Sequence, residues 1–485
     1  MRSTKAGFAL FILVACAIWG FSAPRSRAGD VGDLRVGAAK VDITPSSGDL
    51  PGLIMVLDKR FTGVHDPIYA RALVMDNGID TAAIVSLDLA EFGDTTPLRE
   101  RIQKELGIPA ANIIISATND HNAPRGGPII PGTSAAQGRP YSTPAYVDFV
   151  DDAIVKALKS AKASLEPARV GVGAGHMDLN AQRYGFTGGT AGFHTVDENG
   201  LSDKTLWVVK FESLSGQPIA ILMNYAMHPI MGGGNSLLSG DLSGATERFV
   251  EEQFNDKYND DKTVALWMTG TGGDQSPKLN EWHEDMKNTA AGDALGYRLM
   301  EAEGVVLGSE VIHVATTMIP SVTGTVRLQA NHSSFTCAVP PKQQRPGGAG
   351  PGGGPGGPGG AGGPGGQGGP GGAGGPSPFG HVPSPIKVPI PDPTAKTIHL
   401  SLILINQIAI TGINAEVFTR LYLNLRKASP LTDTLLDTLA NGRMGYLAAD
   451  EDYGGAYGYD DVVAGCAEKG IVDGLVGMMN QDLFQ

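Results

Sequence analysis

Ser276 lies in a loop whose composition suits nucleophilic chemistry. The loop, residues 273–277, reads Gly-Asp-Gln-Ser-Pro and follows an apolar run that ends at Met268. A serine hydroxyl attacks a carbonyl carbon when a neighbouring base or metal ion activates it. Taken alone, Ser276 would be an ordinary turn serine before Pro277. Its chemical meaning therefore depends on the residues that surround it.

Three other apolar runs also end in loops rich in small and polar residues. These loops carry Asn119 and His121, then His228, and then Glu416. In open α/β sheets, ligands bind at the carboxyl ends of strands, where such loops meet. Singly, each residue has a plainer explanation: a histidine after a strand is commonly structural, and Glu416 suits the N-terminus of a helix. Together they indicate a functional site, without naming a reaction.

The elements that would position these loops alternate between β-type apolar runs and helical patterns, which is typical of an α/β protein. We expect mixed β-sheets flanked by helices, in one large domain. The expected strands are 81–87, 112–116, 219–224, 264–268, 399–405 and 408–411. The expected helices are 97–106, 146–163, 244–254, 289–303 and 416–427. The second of these helices carries a core-facing stripe at helical spacing, Val147, Val150, Ile154, Ala157 and Leu158.

The bulk composition excludes some classes of function. The chain has 485 residues, of which 41% are hydrophobic, so it can bury a sizeable core. Its formal net charge is −13, and it has no cluster of Lys and Arg. Because phosphate binding needs such clusters, we expect no nucleic-acid partner. Nothing in the sequence predicts an obligate protein partner.

The N-terminus has the order of a secretory signal peptide. Arg2 and Lys5 precede an apolar run over residues 7–21, and small residues precede Gly29. We expect residues 1–28 to be removed and the mature chain to be exported, either periplasmic or secreted. An alternative is a bacterial lipoprotein signal, in which Cys16 would be acylated and would anchor the chain to a membrane.

Two cysteines, Cys337 and Cys466, would remain after cleavage at Ala28. In an oxidising compartment they could form a disulfide, but two cysteines are not a disulfide framework. A buried free thiol is the alternative.

Residues 346–376 are almost entirely Gly and Pro. Such a segment cannot bury apolar surface, and its Gly content is too high for collagen, so we expect a disordered, solvated loop. The residues that follow it include Glu416, which belongs with the earlier loops. The segment is therefore predicted to be an insertion within one domain, which would span 29–485.

The sequence resembles the neutral/alkaline non-lysosomal ceramidases. Three stretches carry the resemblance near the N-terminus: residues 36–45 (Val-Gly-Ala-Ala-Lys-Val-Asp-Ile-Thr-Pro), 63–67 (Gly-Val-His-Asp-Pro) and 85–89 (Val-Ser-Leu-Asp-Leu). The Gly-Asp-X-Ser-Pro loop at 273–277 is its most specific element. With interruptions, the similarity runs from about residue 36 to about residue 465. It implies the catalytic domain of a hydrolase that cleaves the amide bond of ceramide, a lipid-like small molecule that a membrane can present.

The resemblance also implies roles for single residues. Ser276 would be the nucleophile, beside a Zn²⁺ ion held by two histidines, a glutamate and a tyrosine. His228, Glu416 and Tyr446 match three of these ligands. Arg183 would contact the substrate, although its spacing differs from the family pattern. A further tyrosine near the reaction centre matches Tyr457, or Tyr459 two residues later.

The first metal histidine is where the sequence departs from the family. The family stretch His-Thr-His-Ser-Gly-Pro reads here Asn-Asp-His-Asn-Ala-Pro, so the ligand position is Asn119 and only the second histidine, His121, is kept. An amide oxygen replaces imidazole poorly on zinc and suits a harder cation. If residues 119–121 are extended, His121 points the same way as Asn119 and would be the substitute.

The resemblance implies a mechanism, and two alternative functions remain open. In the family mechanism, metal-bound water takes the proton from Ser276, the hydroxyl attacks the amide, and the metal with His121 or a tyrosine stabilises the oxyanion. The first alternative is an exported hydrolase of another N-acyl amine or an ester. The second is a non-catalytic binding protein on the same scaffold, whose metal site has decayed through Asn119.

Overall fold

The largest sheet of the protein has eight strands. The structure is a computed structural model that describes residues 30–53, 60–127, 142–183, 186–187, 190–191, 196–232, 237–279, 290–340, 394–453 and 461–484. The strands of this sheet are Arg35–Asp42 (β1), Tyr69–Asp76 (β2), Thr81–Leu87 (β3), Ile113–Ala117 (β4), Glu166–His176 (β5), Thr205–Ser213 (β6), Pro218–Tyr225 (β7) and Val264–Thr269 (β8). Their order is β8-β7-β6-β5-β1-β2-β3-β4. The pairs β3 with β4 and β7 with β8 are parallel, and the remaining pairs are antiparallel.

The sheet curves until its two ends meet. The hydroxyl of Ser86 in β3 donates to the backbone oxygen of Trp267 in β8 at 2.6 Å. The hydroxyl of Thr269, at the end of β8, donates to the backbone oxygen of Thr118, just beyond β4, also at 2.6 Å. The carboxyl ends of β4 and β8, although at opposite edges of the sheet, therefore lie side by side.

A second sheet packs on the first. It contains Leu328–Ala338 (β9), Ala395–Ile405 (β10), Ile408–Ile413 (β11) and Asp433–Thr438 (β12), in that order, with β11 and β12 parallel. Apolar side chains from both sheets form one buried cluster, which includes Ile84 and Leu266 from the first sheet and Ile403 and Leu435 from the second. The hydroxyl of Thr438 donates to the backbone oxygen of Thr269 at 3.1 Å. This contact brings the end of β12 to the ends of β4 and β8.

Helices cover the outer faces of both sheets. They are Thr96–Leu106 (α1), Pro144–Ala163 (α2), Asp241–Tyr258 (α3), Ala290–His313 (α4), Thr419–Ala428 (α5) and Ala467–Phe484 (α6). α1 and α2 pack on one half of the first sheet, and α3 and α4 on the other half. α5 and α6 pack on the second sheet. α2 begins at Pro144 because the side chain of Thr143 accepts a hydrogen bond from the backbone N–H of Tyr146 and so caps the N-terminus of the helix.

Short two-stranded ladders connect these layers. They are Gly32–Asp33 with Thr325–Val326, Gly63–Val64 with Leu237–Leu238, Glu91–Phe92 with Arg125–Gly126, Asn180–Gln182 with Gln275–Pro277, Phe186–Thr187 with Thr190–Ala191, and Glu416–Val417 with Tyr446–Leu447. A π-helical turn, Val314–Met318, follows α4, and 3₁₀ turns occur at Leu50–Gly52, Ala110–Asn112, Gly272–Asp274 and Asp450–Asp452.

The architecture confirms the expected fold class of mixed sheets flanked by helices. All six expected strands are present to within a few residues. Four residues of the α2 stripe, Val150, Ile154, Ala157 and Leu158, are buried in the core, and Val147 is only partly buried. The helix predicted over 416–427 was wrong at its start. Glu416 lies in a short strand, and α5 begins only at Thr419. Residues 1–28, 346–376 and 457 lie outside the described residues, so the signal peptide and the insertion remain predictions.

The two cysteines are joined. Cys337 in β9 and Cys466, immediately before α6, form a disulfide across a sequence separation of 129 residues. Of the two alternatives that the sequence left open, the structure shows the disulfide. No helix in the described part of the chain is both long enough and apolar enough to cross a membrane.

Candidate active site

Ser276 is held in a short ladder just beyond β8. Gln275–Pro277 pairs antiparallel with Asn180–Gln182, and Ser276 lies opposite Ala181. The serine is 1% exposed, and its hydroxyl has no hydrogen-bond partner among the described residues. A buried hydroxyl without a partner has lost its hydrogen bonds to water and gained none in exchange. Stability therefore does not explain the presence of this hydroxyl.

Asp274 fixes the loop instead. One carboxylate oxygen accepts from the backbone N–H of Thr419 at 3.0 Å and from its hydroxyl at 2.8 Å. The other accepts from the Gln182 side chain at 2.8 Å, and the Asp274 backbone oxygen accepts from the N–H of Arg183 at 2.9 Å. Burial raises the pKa of Asp274, and these hydrogen bonds oppose that rise. The acid of the Gly-Asp-X-Ser-Pro motif thus ties the serine loop to α5 and to the Asn180–Gln182 strand.

The glycine before Asp274 lets two loops pass at close range. A Cβ added at Gly273 would lie 2.7 Å from the backbone oxygen of Glu416 and 2.8 Å from that of Val417. Carbon atoms do not approach oxygen so closely without a shift of the backbone. Gly273 is therefore required for the serine loop to pack against the strand that carries Glu416.

His228 lies between the serine loop and the Glu416 strand. Its backbone N–H donates to the backbone oxygen of Gln275 at 3.2 Å, and its ring Nδ1 donates to the backbone oxygen of Gly272. This hydrogen bond places the ring proton on Nδ1 and leaves Nε2 as an acceptor. His121 packs edge-on against the same ring, with 5.4 Å between ring centroids.

Asn119 meets both His228 and Glu416. Its side-chain nitrogen lies 2.7 Å from Nε2 of His228 and 3.2 Å from Oε2 of Glu416, and these two acceptors are 3.0 Å apart. Asn119 has a φ of 65°, in the left-handed region that asparagine tolerates better than most residues. The loop is therefore not extended at this position, so the geometric reason for expecting His121 to substitute for Asn119 does not hold, and the substitution itself stays a prediction.

Arg443 binds the other oxygen of Glu416. Its Nη2 lies 3.0 Å from Oε1 of Glu416, and its Nε lies 3.2 Å from Oε2 of Glu91. Arg125 completes the chain of charges through Oε1 of Glu91 at 3.0 Å. All four side chains are largely buried, so the two carboxylates depend on these two guanidinium groups for compensation.

Tyr446 is the register partner of Glu416 in the parallel ladder of Glu416–Val417 with Tyr446–Leu447. Its hydroxyl accepts from Nη2 of Arg183 at 3.1 Å, and the Arg183 guanidinium lies 5.7 Å from the ring centroid. Because the Arg183 backbone is bound to Asp274, this contact links Tyr446 to the serine loop.

The electrostatics leave the histidines neutral and the glutamate charged. Burial lowers the pKa of His228, and the nearby Arg183 lowers it further. Burial also lowers the pKa of His121 well below its ordinary value, and His228 adds to this effect. Burial acts to raise the pKa of Glu416, but the positive charges of Arg443 and Arg183 oppose it, and the pKa of Glu416 is lowered. At neutral pH the site holds two imidazoles and one carboxylate.

The zinc ion that the resemblance implied needs about four ligands in a tetrahedral arrangement. His228 Nε2 and Glu416 Oε2 are suitable donors. Asn119, however, presents its amide nitrogen, which carries no free lone pair, and the Tyr446 hydroxyl is bound by Arg183. In this arrangement the residues do not fit a zinc ion.

Among the residues that the structure describes, one other group has the chemistry of a metal site. His65, Asp66 and Glu301 have potential ligand atoms within 4.8 Å of one another. Asp66 already accepts from Ser239, from the backbone of Gly240 and from Arg248. Its oxygens therefore have protein partners without a metal ion.

The structure brings most of the sequence-predicted site residues together. Asn119, His228 and Glu416 are in direct contact, Tyr446 contacts Arg183, His121 packs on His228, and Ser276 follows the residue that His228 binds. Tyr457 lies outside the described residues. The sequence analysis missed Arg443. Arg443 follows the end of β12, a strand that the sequence did not predict. Had β12 been predicted, the pattern of polar residues after strand ends would have identified Arg443.

This site lies at the strand ends of an α/β fold in which two packed sheets carry helices on their outer faces. A family model described as neutral/alkaline non-lysosomal ceramidase, N-terminal, matches residues 34–294, which is more than half of the chain. The chain belongs to the neutral/alkaline non-lysosomal ceramidase family, and the resemblance seen in the sequence is confirmed.

Individual relatives are distant. The chain is 26% identical over 263 residues to neutral ceramidase B of Dictyostelium discoideum, covering 50% of this chain and 35% of that protein. It is 23% identical over 279 residues to the neutral ceramidase of Pseudomonas aeruginosa, covering 56% of this chain and 40% of that protein. These matches span less than half the length of the relatives. The crystal structure of the Pseudomonas aeruginosa enzyme has the same fold, with a TM-score of 0.67 at 18% identity over 93% of this chain and 75% of that one.

Proposed function

We propose that this protein hydrolyses the N-acyl amide bond of ceramide or a related sphingolipid, with Ser276 as the nucleophile. The observation that carries the proposal is the Ser276 hydroxyl, which is buried, has no partner among the described residues, and lies in a loop held in place by other groups. Family membership supports the reaction class, and the relatives are named neutral ceramidases. The substrate is a lipid-like molecule.

The proposed chemistry uses side chains of the site. The Ser276 oxygen forms a bond to the carbonyl carbon, and a base of the site takes its proton. We propose His121 for this role, because it packs on the His228 ring beside the serine loop and its buried Nδ1 has no hydrogen-bond partner among the described residues. The carbon–nitrogen bond then breaks, and His121 returns the proton to the leaving amine. Water hydrolyses the acyl-enzyme to a fatty acid. Arg183 and the Tyr446 hydroxyl supply the donors that orient the substrate.

Two serine variants test the proposal, one at Ser276 and one at a control position. Ser276→Ala should abolish turnover of a fluorescent ceramide in detergent micelles and should leave the free energy of unfolding nearly unchanged, because the hydroxyl makes no hydrogen bond among the described residues. Ser86→Ala is the control. Its buried hydroxyl donates to Trp267, so its loss should reduce stability by about 1 kcal/mol and leave turnover intact. Near-normal turnover by Ser276→Ala would rule out the nucleophile.

The substrate class needs a separate measurement. Comparing rates on N-acyl sphingoid bases, other N-acyl amines and esters of matched chain length distinguishes a ceramidase from a hydrolase of another acyl compound. A ceramidase should show the highest kcat/KM on the sphingoid amides.

A second candidate, a non-catalytic binding protein, is favoured by one observation. Asn119 occupies the first metal position with its amide nitrogen facing both His228 and Glu416. If ceramide binds to the wild-type chain and no acyl substrate is cleaved, this candidate replaces the first.

We also propose that the protein is exported. The Cys337–Cys466 disulfide supports this, because such bonds persist in oxidising compartments. Sequencing the N-terminus of the mature chain tests it. Signal-peptide cleavage leaves Gly29 at the N-terminus, whereas a lipoprotein would begin with an acylated Cys16.

A further inference from the structure

We infer that Asn119 takes the place of a metal ion at the candidate active site, joining His228 to Glu416 by two hydrogen bonds. The Asn119 nitrogen lies within hydrogen-bond distance of both acceptors, at 2.7 Å and 3.2 Å. An amide NH₂ group has two donors, which is the number that this position uses. The inference concerns ion binding, and it stands or fails independently of whether Ser276 is the nucleophile.

The side-chain polar atoms of His228 and Glu416 all have partners in this arrangement. His228 donates from Nδ1 to Gly272, so its Nε2 can only accept. Glu416 accepts from Arg443 at Oε1 and faces Asn119 with Oε2. Two acceptors only 3.0 Å apart need a donor or a cation between them. The amide supplies the donors, so the pair is satisfied without an ion.

A metal ion would have to undo this arrangement. The Asn119 amide would rotate to present its oxygen, which ends both hydrogen bonds and places a partial negative charge beside the Glu416 carboxylate. Arg443 already compensates Glu416 with a positive charge 3.0 Å from Oε1, which reduces the attraction of that carboxylate for a cation. Zinc also prefers imidazole to an amide oxygen.

The left-handed backbone at Asn119 is compatible with the role of Asn119 as a bridge between His228 and Glu416. Asn119 has a φ of 65°, and its backbone N–H donates to the backbone oxygen of Leu89 at 3.1 Å. The residue is 3% exposed. The backbone that carries the Asn119 side chain is therefore itself buried and hydrogen-bonded, and the side chain is held by its contacts with His228 and Glu416.

The test is the zinc content of the full chain after dialysis against a chelator-buffered zinc solution at neutral pH. We expect the wild type to retain far less than one zinc per chain. Asn119→His, which replaces the donor pair by an imidazole, should retain close to one zinc per chain. Its zinc affinity should rise by at least about tenfold, because even a residue outside the ligand set alters zinc affinity by about that factor.

Asn119→Asp is a second variant in case the histidine is not tolerated in the left-handed backbone. Aspartate has the same shape, tolerates the same φ and offers only acceptors, so it should also gain zinc. Asn259→His is the matched control. Asn259 has a φ of 53° but lies exposed at the C-terminus of α3, and its substitution should not change zinc content.

A second readout reports on the bridge directly. In the ¹⁵N NMR spectrum of the wild type, the His228 ring should carry its proton on Nδ1, and adding one equivalent of zinc should not shift its Nε2 signal. A wild-type chain that holds one zinc, and that loses it in His228→Ala, would overturn the inference. Folded Asn119→His and Asn119→Asp variants that bind no more zinc than the wild type would also overturn it.

Discussion

Arg443 and Glu416 form a buried ion pair, with 3.0 Å between Nη2 and Oε1. They come from different elements: Glu416 from a short strand after β11, and Arg443 from the loop after β12. The same arginine reaches Glu91, which Arg125 also binds, so Arg443 is shared between two carboxylates. This pair holds the Glu416 side chain in the position where Asn119 and His228 contact it.

Replacing Arg443 by methionine should destabilise the fold strongly. The change leaves Glu416 with a buried oxygen that has lost its cation, and breaking one partner of a buried pair typically costs about 3–5 kcal/mol. Urea denaturation measures the loss. Arg101→Met is the control, because Arg101 pairs with Glu105 and Asp152 on the surface and should cost at most about 1 kcal/mol. Equal losses for the two variants would contradict a structural role for the Arg443 pair.

Gly273→Ala should separate the serine loop from the Glu416 strand. The new methyl group would meet the backbone oxygens of Glu416 and Val417 at 2.7 Å and 2.8 Å, so one of the two segments must move. We expect a loss of turnover of about 100-fold, because small displacements of catalytic groups have effects of this size. Activity measured beside circular dichroism shows whether the fold survives.

Gly477→Ala provides the comparison for that variant. Gly477 lies in α6, and a Cβ there would meet no atom within 4 Å. Alanine should therefore stabilise the helix, by about 1 kcal/mol, and leave turnover unchanged. If Gly273→Ala behaved in the same way, the close packing of the two loops would not matter for function.

The elements that could be predicted from the sequence were those with continuous apolar runs. β7 and β8 are buried along their whole length, and both were expected. β5 was missed because glycines interrupt its apolar pattern. One of them, Gly171, has no room for a Cβ, which would approach the backbone oxygen of Ser321 to 2.5 Å. This strand is specified by tertiary packing that local composition does not show.

The site could also be predicted only in part, because some of its residues carry a local signal and others are placed by tertiary structure. The strand-end pattern identified His228 and Glu416, and the family motif identified Ser276. The left-handed backbone of Asn119 could not be read from its neighbours, so the extended loop considered at residues 119–121 is not what the structure has. Contacts between residues far apart in the chain, such as Arg443 with Glu91, need the curvature of the first sheet and its packing on the second.

The Cys337–Cys466 disulfide should contribute substantially to stability. It closes a sequence separation of 129 residues, and removing a native disulfide typically costs about 2–5 kcal/mol. Cys337→Ala, Cys466→Ala and the wild type under reducing conditions should have similar free energies of unfolding in urea, all below that of the oxidised wild type. The double variant should be no less stable than either single one. A large difference between the two single variants would indicate that packing of one thiol, and not the bond, is responsible.

Glu303 should make the protein less stable as the pH rises. This α4 side chain is 8% exposed, its Oε2 has no partner among the described residues, and burial, with Asp241 second, raises its pKa to about 8. Between the ordinary pKa of 4.5 and about 8, the folded state holds more protons than the unfolded state. The contribution of Glu303 to the free energy of unfolding is therefore fully present below its ordinary pKa. It is lost as the pH rises through about 8.

Glu303→Gln removes this titration while keeping the shape of the side chain. Its unfolding free energy should exceed that of the wild type by up to a few kcal/mol at pH 8, since each pKa unit is worth about 1.4 kcal/mol. The two proteins should converge below about pH 3.5, well under the ordinary pKa of 4.5, where Glu303 is protonated in both states. Glu252→Gln, on the exposed side of α3, should follow the wild type at every pH. Denaturation curves for Glu303→Gln that run parallel to the wild type across this range would show that the buried carboxyl does not control the pH dependence.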